Sequence, residues 1–283
     1  MTTVAGGQLS KLTAFADGPG GGNPAGVWIG EQLPSVPVMQ QVAADVGFSE
    51  TAFLAGVGGA EWETRYYSPE AEVSFCGHAT IASGVALGER FGDRQYLLNT
   101  PVGPVRVEVG TRIGVRHAAL TSVEPEFEPA SDALVNSVLA AIHWQRSDLE
   151  ESIPPARAFA GAWHLVLAAR DRDRLARLDY DFDELGSIMR SDGLTTIQLV
   201  WREGPAVFHS RNPFPVGGVV EDPATGAAAA ALGGYLRDAG LADSPTELTI
   251  FQGVDMGRPC KLTVSIPRSG GIEVSGPAVA FSG

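Results

Sequence analysis

The stretch Glu221-Asp222-Pro223-Ala224-Thr225-Gly226-Ala227 restates, 149 positions later, the pattern of Glu72-Val73-Ser74-Phe75-Cys76-Gly77-His78. Each copy opens on an acidic residue, sets a glycine five positions on, and runs into an apolar segment, Ala79 to Leu87 or Ala228 to Leu236. The repeat implies two like halves. Acids placed just before a helix whose first-turn N–H groups point forward make a site where an anion is held and a proton moved.

The repeated segments predict helices over His78 to Phe91 and Ala227 to Ala239, apolar on nearly all sides until their last turn. Such a helix must be enclosed rather than laid on a surface. The small residues Ala79, Ala82, Gly84, Ala86 and Ala228 to Ala231 let a surrounding sheet come close. Elsewhere strand signals dominate. Alternation at Trp62 to Tyr67 puts Trp62, Thr64 and Tyr66 on one face, Phe48 to Leu54 reads as another strand, and Pro37 opens a helix that closes at Gly47. Further strands are expected at Leu12–Phe15, Val27–Ile29, Tyr96–Asn99, Val105–Val109, His164–Ala168, Ile197–Trp201, Ala206–Ser210, Leu248–Gln252, Leu262–Ile266 and Ile272–Ser275. The expected fold class is α+β, with two pseudo-symmetric domains, each a strand-rich shell wrapped around a central apolar helix. The charged, proline-bearing run Glu124 to Pro129 marks the boundary, giving domains over 1–123 and 124–269, with 270–283 returning to the first.

A length of 283 residues suits two units of average size, and the apolar fraction of 44% suits a substantial core. A net charge of -13 opposes binding to phosphate backbones, so nucleic acid is set aside. Two cysteines, Cys76 and Cys260, leave no disulfide framework and no CxxC pair, which fits a reduced cytoplasm. No apolar run is long enough to span a bilayer and no export signal is visible.

Three residues are candidates for proton chemistry. Strand alternation groups Glu50 with Phe48, Ala52 and Leu54, and shielding from water raises a carboxyl pKa toward the range useful to a proton acceptor or donor. The bland alternative is a strand-end Glu facing water or an Arg. His78 stands in the first turn of an enclosed helix, where the dipole favours a neutral ring able to donate to a substrate oxygen or relay a proton. Packing is the alternative, but the repeat carries Ala227 at that place, so packing does not require His. Asp222 could cap the second helix, with Thr225 as a competing cap. Cys76 adjoins a helix N-terminus, which favours thiolate, yet the repeat has Thr225 at the matching place, so a two-thiol mechanism is disfavoured. Cys260 is read as structural. No HxxxH, HExxH or comparable spacing occurs, so no metal is expected. Gly20-Gly21-Gly22-Asn23-Pro24-Ala25 loosely matches a dinucleotide loop but is followed by strand-like sequence instead of a helix, so no nicotinamide or flavin cofactor is expected either.

Asp17 to Val27 with its Gly22-Asn23-Pro24 core, Phe48-Ser49-Glu50-Thr51, Pro69 through Cys76-Gly77-His78-Ala79-Thr80, and Val220-Glu221-Asp222-Pro223-Ala224-Thr225-Gly226 together resemble the PhzF family. Phe251 to Pro259 and Val274-Ser275-Gly276 resemble its closing segments. The resemblance covers nearly the whole chain in order. It implies the diaminopimelate-epimerase-like fold, and a cofactor-independent isomerase or epimerase in which Glu50 moves the proton, assisted by His78 and Asp222. Asn23, Ser49 and the backbone at Gly77, Gly226 and Ala227 would bind the substrate, a small carboxylate-bearing metabolite held in a cleft between the halves. A homodimer is compatible with this reading. One departure matters: family members often carry Ser where this chain has Ala227, so the phenazine-pathway substrate does not carry over. The rival reading is a non-catalytic metabolite-binding protein on the same fold.

Overall fold

A computed structural model describes residues 1–281. The chain divides into two compact units, one of Met1–Thr121 joined by the terminal strand from Ser275, the other of Ser122–Val274.

In the first unit eight strands close on themselves. Gly7–Ala14 pairs antiparallel with Asn23–Gly30, which runs parallel to Glu50–Gly58, itself antiparallel to Glu61–Tyr67. Glu61–Tyr67 runs parallel to Gln95–Thr100, and the meander continues through Gly103–Arg112 and Val115–Thr121. The strand Glu273–Ala280 then pairs with Val115–Thr121 on one side and with Gly7–Ala14 on the other, so the ring has no free edge. The helix Gly77–Phe91 fills it, with every residue from His78 to Gly88 buried. Ile81, Val85 and Leu87 are wholly out of water, each side chain contributing about 1.5–3 kcal/mol. A second helix, Val36–Val46, covers the sheet elsewhere through Met39, Val42, Ala43 and Val46 packed on Trp28, Phe53 and Tyr67.

The small residues of the enclosed helix are what allow this approach. A Cβ on Gly84 would stand 2.6 Å from Val107 Cγ1 and 2.9 Å from Ala118 Cβ, inside van der Waals contact. The start of the helix is pinned by a relay: Thr80 Oγ1 donates to the Cys76 carbonyl at 2.7 Å, and buried Tyr66 donates its hydroxyl to Thr80 Oγ1 at 2.7 Å. Burial drives the Tyr66 phenol pKa well above its ordinary value.

The second unit repeats the same order of pairings. Glu126–Pro129 and Ala156–Phe159 are antiparallel, Ala156–Phe159 and Trp163–Ala168 antiparallel, Trp163–Ala168 and Thr196–Gly204 parallel. Thr196–Gly204 is antiparallel to Val207–Phe214, which runs parallel to Thr246–Gln252, and Cys260–Ile266 closes the series. The helix Gly226–Asp238 is enclosed within, buried from Ala228 to Leu236. Helices Asp132–Ala141 and Phe182–Ser191 pack over Leu165, Leu167, Ile197 and Leu199. No helix among the described residues is long and apolar enough to cross a membrane.

The run Glu124 to Pro129, expected as the boundary between halves, includes the strand Glu126–Pro129, paired with Ala156–Phe159. One expectation is corrected. Phe48 and Ser49 are not strand: the chain leaves the preceding helix through Gly47 at φ 71°, and the ladder starts at Glu50, opposite Ala25.

Candidate active site

Strand register in the first unit sets the site. The parallel pairing of Ala25 with Glu50 brings the start of Asn23–Gly30 beside the start of Glu50–Gly58. Both ends meet the first turn of the enclosed helix, which carries His78. Gly22, at φ 92°, delivers the chain to Asn23; a Cβ there would strike Thr13 Cγ2 at 2.2 Å and the Ala14 carbonyl at 2.8 Å, so only glycine fits. The glycine run thus serves a tight approach of backbone, and the strand that follows it agrees with the rejection of a dinucleotide loop.

His78 is the hub. Asn23 Nδ2 lies 3.2 Å from His78 Nδ1, and an amide nitrogen can only donate, so Nδ1 accepts and the ring proton sits on Nε2. Nε2–H faces two oxygens, Glu50 Oε2 at 3.3 Å and Ser49 Oγ at 3.4 Å. The His78 side chain is 8% exposed and that of Glu50 20%, so the imidazole is walled in while the carboxylate keeps access to a small molecule. Cys76 Sγ lies 3.4 Å from His78 Nδ1 and 3.8 Å from Nε2. Cys76, at the N-cap position of the helix that begins at Gly77, makes no side-chain capping bond.

The structure therefore brings together Glu50, His78, Asn23 and Ser49, with Gly77 opening the helix. It also gathers a potential ligand set for a metal ion, since one ligand atom from each of Glu50, Cys76 and His78 lies within 4.8 Å of the others. Motif spacing missed this set because its members come from two segments joined only by the fold. A cavity of about 580 Å³ lies elsewhere in the first unit, lined among others by Arg65, Glu72, Asn99 and Thr100. It contains none of the expected catalytic side chains, and its one cation, Arg65, is already paired with Glu72.

Asp222, Gly226 and Ala227 belong to the second unit. Asp222 ends the strand Val219–Asp222, opposite Asn212. Thr225 stands at the N-cap position of the helix but makes no side-chain capping bond; its Oγ1 donates instead to Asp222 Oδ2 at 2.6 Å. Gln252 fastens the turn, its Nε2 donating to the Asp222 carbonyl at 2.7 Å and its Oε1 accepting from Thr225 N at 3.1 Å.

The acids that lead the two repeats are a correction. They do not form an anion or proton site. Glu72 accepts from Arg65, at 2.6 Å to Nε and through a second bond to Nη2, and that guanidinium holds its carboxyl below the usual range. Glu221 accepts from Arg211 in the same bidentate way. Sequence reasoning also missed a buried polar chain on one face of the second unit. Ser210 Oγ donates to Asn212 Oδ1 at 2.8 Å, Asn212 Nδ2 to Thr196 Oγ1 at 3.0 Å, and Thr196 Oγ1 to His164 Nδ1 at 2.8 Å. His164 is fully buried, and desolvation depresses its pKa to about 3.

With this geometry in view, the chain is similar to known proteins along almost its whole length. The family profile of the phenazine biosynthesis-like proteins, PhzC-PhzF, matches residues 12–283. An uncharacterized isomerase of Bacillus subtilis, YfhB, is 28% identical over 284 residues, covering 96% of each chain. The trans-2,3-dihydro-3-hydroxyanthranilate isomerase of Pseudomonas chlororaphis is 29% identical over 283 residues, covering 95% of each. The structure of a predicted epimerase from Pseudomonas aeruginosa superposes with a TM-score of 0.84 at 25% identity, covering 97% of this chain and 96% of that one. A match over residues 12–283, and relatives that are isomerases along almost their whole length, place this chain in the phenazine biosynthesis-like family, as an isomerase.

Proposed function

We propose that the protein shifts a proton between carbon atoms of a small carboxylate-bearing metabolite, with Glu50 as the group that removes and returns it. The observation that carries this reading is the contact between Glu50 Oε2 and His78 Nε2 at 3.3 Å, with the opposite ring nitrogen engaged by Asn23. A carboxylate held beside a hydrogen-bond donor of fixed polarity, and open to small molecules on one side, has what general acid–base catalysis needs.

In the proposed step the Glu50 carboxylate takes a proton from a carbon next to an electron-withdrawing group, becoming the acid. The electron pair left behind delocalises into that group. Glu50 then returns the proton to another carbon of the delocalised system, and His78 Nε2–H stabilises the carboxylate whenever it is charged. One carboxyl group delivers the proton to the face from which it came, so the reading favours a shift along one face of the substrate over inversion at a single centre. We assign Asp222 to the same reaction, together with the backbone N–H groups at Gly77, Gly226 and Ala227 as hosts for the substrate carboxylate. The chemistry calls on no cofactor.

The test is wash-in of solvent deuterium. Small amino acids, hydroxy acids and cyclic unsaturated carboxylates are incubated with the protein in D2O and read by mass spectrometry. At least one should gain deuterium at carbon, and Glu50→Gln should bind that compound with similar affinity while exchange falls by about a thousandfold or more. Near-normal exchange in the variant removes Glu50 from the role and leaves His78 as the next candidate.

A further inference from the structure

We infer that Glu50, Cys76 and His78 form a binding site for zinc, which on binding occupies the proton-transferring carboxylate and silences the enzyme. Binding itself rests on geometry alone; only the silencing rests on the proposed role of Glu50.

Zinc is four-coordinate and tetrahedral in protein sites, with Zn–N of about 2.0–2.1 Å, Zn–O of about 2.0–2.2 Å and Zn–S of about 2.3 Å. Two ligands at those lengths and a tetrahedral angle stand roughly 3.3 Å apart for nitrogen and oxygen, and roughly 3.5 Å apart for nitrogen and sulfur. In the first unit His78 Nε2 and Glu50 Oε2 are 3.3 Å apart, and His78 Nε2 and Cys76 Sγ are 3.8 Å apart. The nitrogen–oxygen spacing already fits; Cys76 Sγ stands nearer Nδ1, at 3.4 Å, than Nε2, so completing the set on the Nε2 side takes a rotation of the Cys76 side chain about its Cα–Cβ bond. Among the described residues this is the group of three or more His, Cys, Asp or Glu that meets such a spacing.

The outer contacts suit the same ion. A metal-bound imidazole normally presents its second nitrogen as N–H to an oxygen acceptor. Asn23 touches Nδ1 of His78, and its side chain carries an amide oxygen as well as a nitrogen. On binding, the ring proton passes from Nε2 to Nδ1, the Asn23 amide turns its oxygen to accept it, and the Cys76 thiol gives its proton to solvent. Three protein ligands leave a fourth position for water or a substrate carboxylate, reached along the exposed side of Glu50. A thiolate selects zinc over magnesium and calcium, which prefer oxygen.

The experiment needs no substrate. Metal-free full-length protein is titrated with zinc against a chromophoric chelator, and separately with cobalt(II) as a spectroscopic stand-in. We expect one zinc per chain, no comparable uptake of magnesium, and a thiolate-to-cobalt charge-transfer band in the near ultraviolet. Cys76→Ser should abolish that band and weaken zinc by about a hundredfold or more, with a similar loss in His78→Asn and an unchanged near-ultraviolet circular dichroism spectrum in both. His143→Asn, which removes an exposed His–Asp pair, should leave zinc affinity unchanged. Absence of stoichiometric binding, absence of the charge-transfer band, or undiminished affinity in Cys76→Ser would overturn the site. If Glu50→Gln kept normal deuterium exchange, the proposed catalytic role would fall while the zinc measurement still stood.

Discussion

Arg211 grips Glu221 through two parallel hydrogen bonds, Nε to Oε1 at 3.0 Å and Nη2 to Oε2 at 2.5 Å, with side chains only 10% and 4% exposed. The third arm of the guanidinium reaches the Ala176 carbonyl at 2.6 Å. Arg65 and Glu72 make the same bidentate pair in the first unit, but with side chains about a third exposed. Each pair ties the strand that ends before the repeat to the segment that leads into the buried helix.

Equal geometry and unequal burial predict unequal cost. Removing one partner of a buried pair strands the other charge away from water, which typically costs about 3–5 kcal/mol, whereas a pair near the surface is worth about 0–1 kcal/mol. Arg211→Met should therefore lower unfolding stability by several kcal/mol, and Arg65→Met by roughly 1 kcal/mol or less. Urea titration of both variants checks this; similar losses would show that burial is not what separates the pairs.

Gly84 offers a test of enclosure. On an exposed helix, Gly→Ala stabilises by about 1 kcal/mol because the glycine backbone loses more freedom on folding. At Gly84 the added methyl meets Val107 Cγ1 at 2.6 Å and Ala118 Cβ at 2.9 Å, and overpacking of this kind costs about 1–3 kcal/mol. The second effect is the larger, so Gly84→Ala should lower the melting temperature. A rise would mean that the surrounding strands yield without cost.

His164 links stability to pH. Its folded-state pKa is depressed to about 3 by burial, against about 6.5 for an unfolded histidine. Between those values the unfolded chain binds the proton and the folded chain does not, so this residue's contribution is intact above about pH 6.5 and is lost as pH falls toward 3, by roughly 1.4 kcal/mol per unit. His164→Asn keeps an acceptor toward Thr196 but cannot titrate. Stability measured from neutrality down to about pH 4.5 should fall less steeply in the variant than in the parent; parallel slopes would mean that His164 does not supply this term.

The enclosed helices were legible because the run from His78 to Leu87 carries no Asp, Glu, Lys or Arg and is apolar on nearly all sides, unlike a surface helix. The helix Phe182–Ser191 went unread although its signal was present: Asp181 accepts from Glu184 N as an N-cap, and Ser131 does the same for Leu134 N ahead of Asp132–Ala141. Glu50, His78 and Asn23 could be named singly, but nothing local shows that Asn23 and His78, 55 positions apart, share a hydrogen bond. The parallel register of Ala25 with Glu50 decides that, and it depends on the whole ring closing. For the same reason the leading acids Glu72 and Glu221 looked functional in sequence: their partners Arg65 and Arg211 lie on a neighbouring strand, at spacings that differ between the copies.

Asn23 should set the polarity of the site. Its amide nitrogen engages His78 Nδ1 at 3.2 Å, which keeps the ring proton on Nε2 and directed at Glu50. Asn23→Asp changes almost no volume but replaces the donor by an acceptor. The favoured tautomer then carries its proton on Nδ1, and a bare Nε2 lone pair faces the Glu50 carboxylate in place of a donor. Fixing the wrong tautomer leaves binding intact and removes help to the charged state of the base, so kcat should drop by about a hundredfold or more with little change in KM. Nitrogen-15 NMR of labelled histidine reads the tautomer directly and independently of substrate: Nε2–H in the parent, Nδ1–H or a doubly protonated ring in the variant. Should the parent already hold its proton on Nδ1, or the variant keep its full deuterium-exchange rate, Asn23 would be a packing residue and the orientation of His78 would have to be set by Cys76 and Ser49.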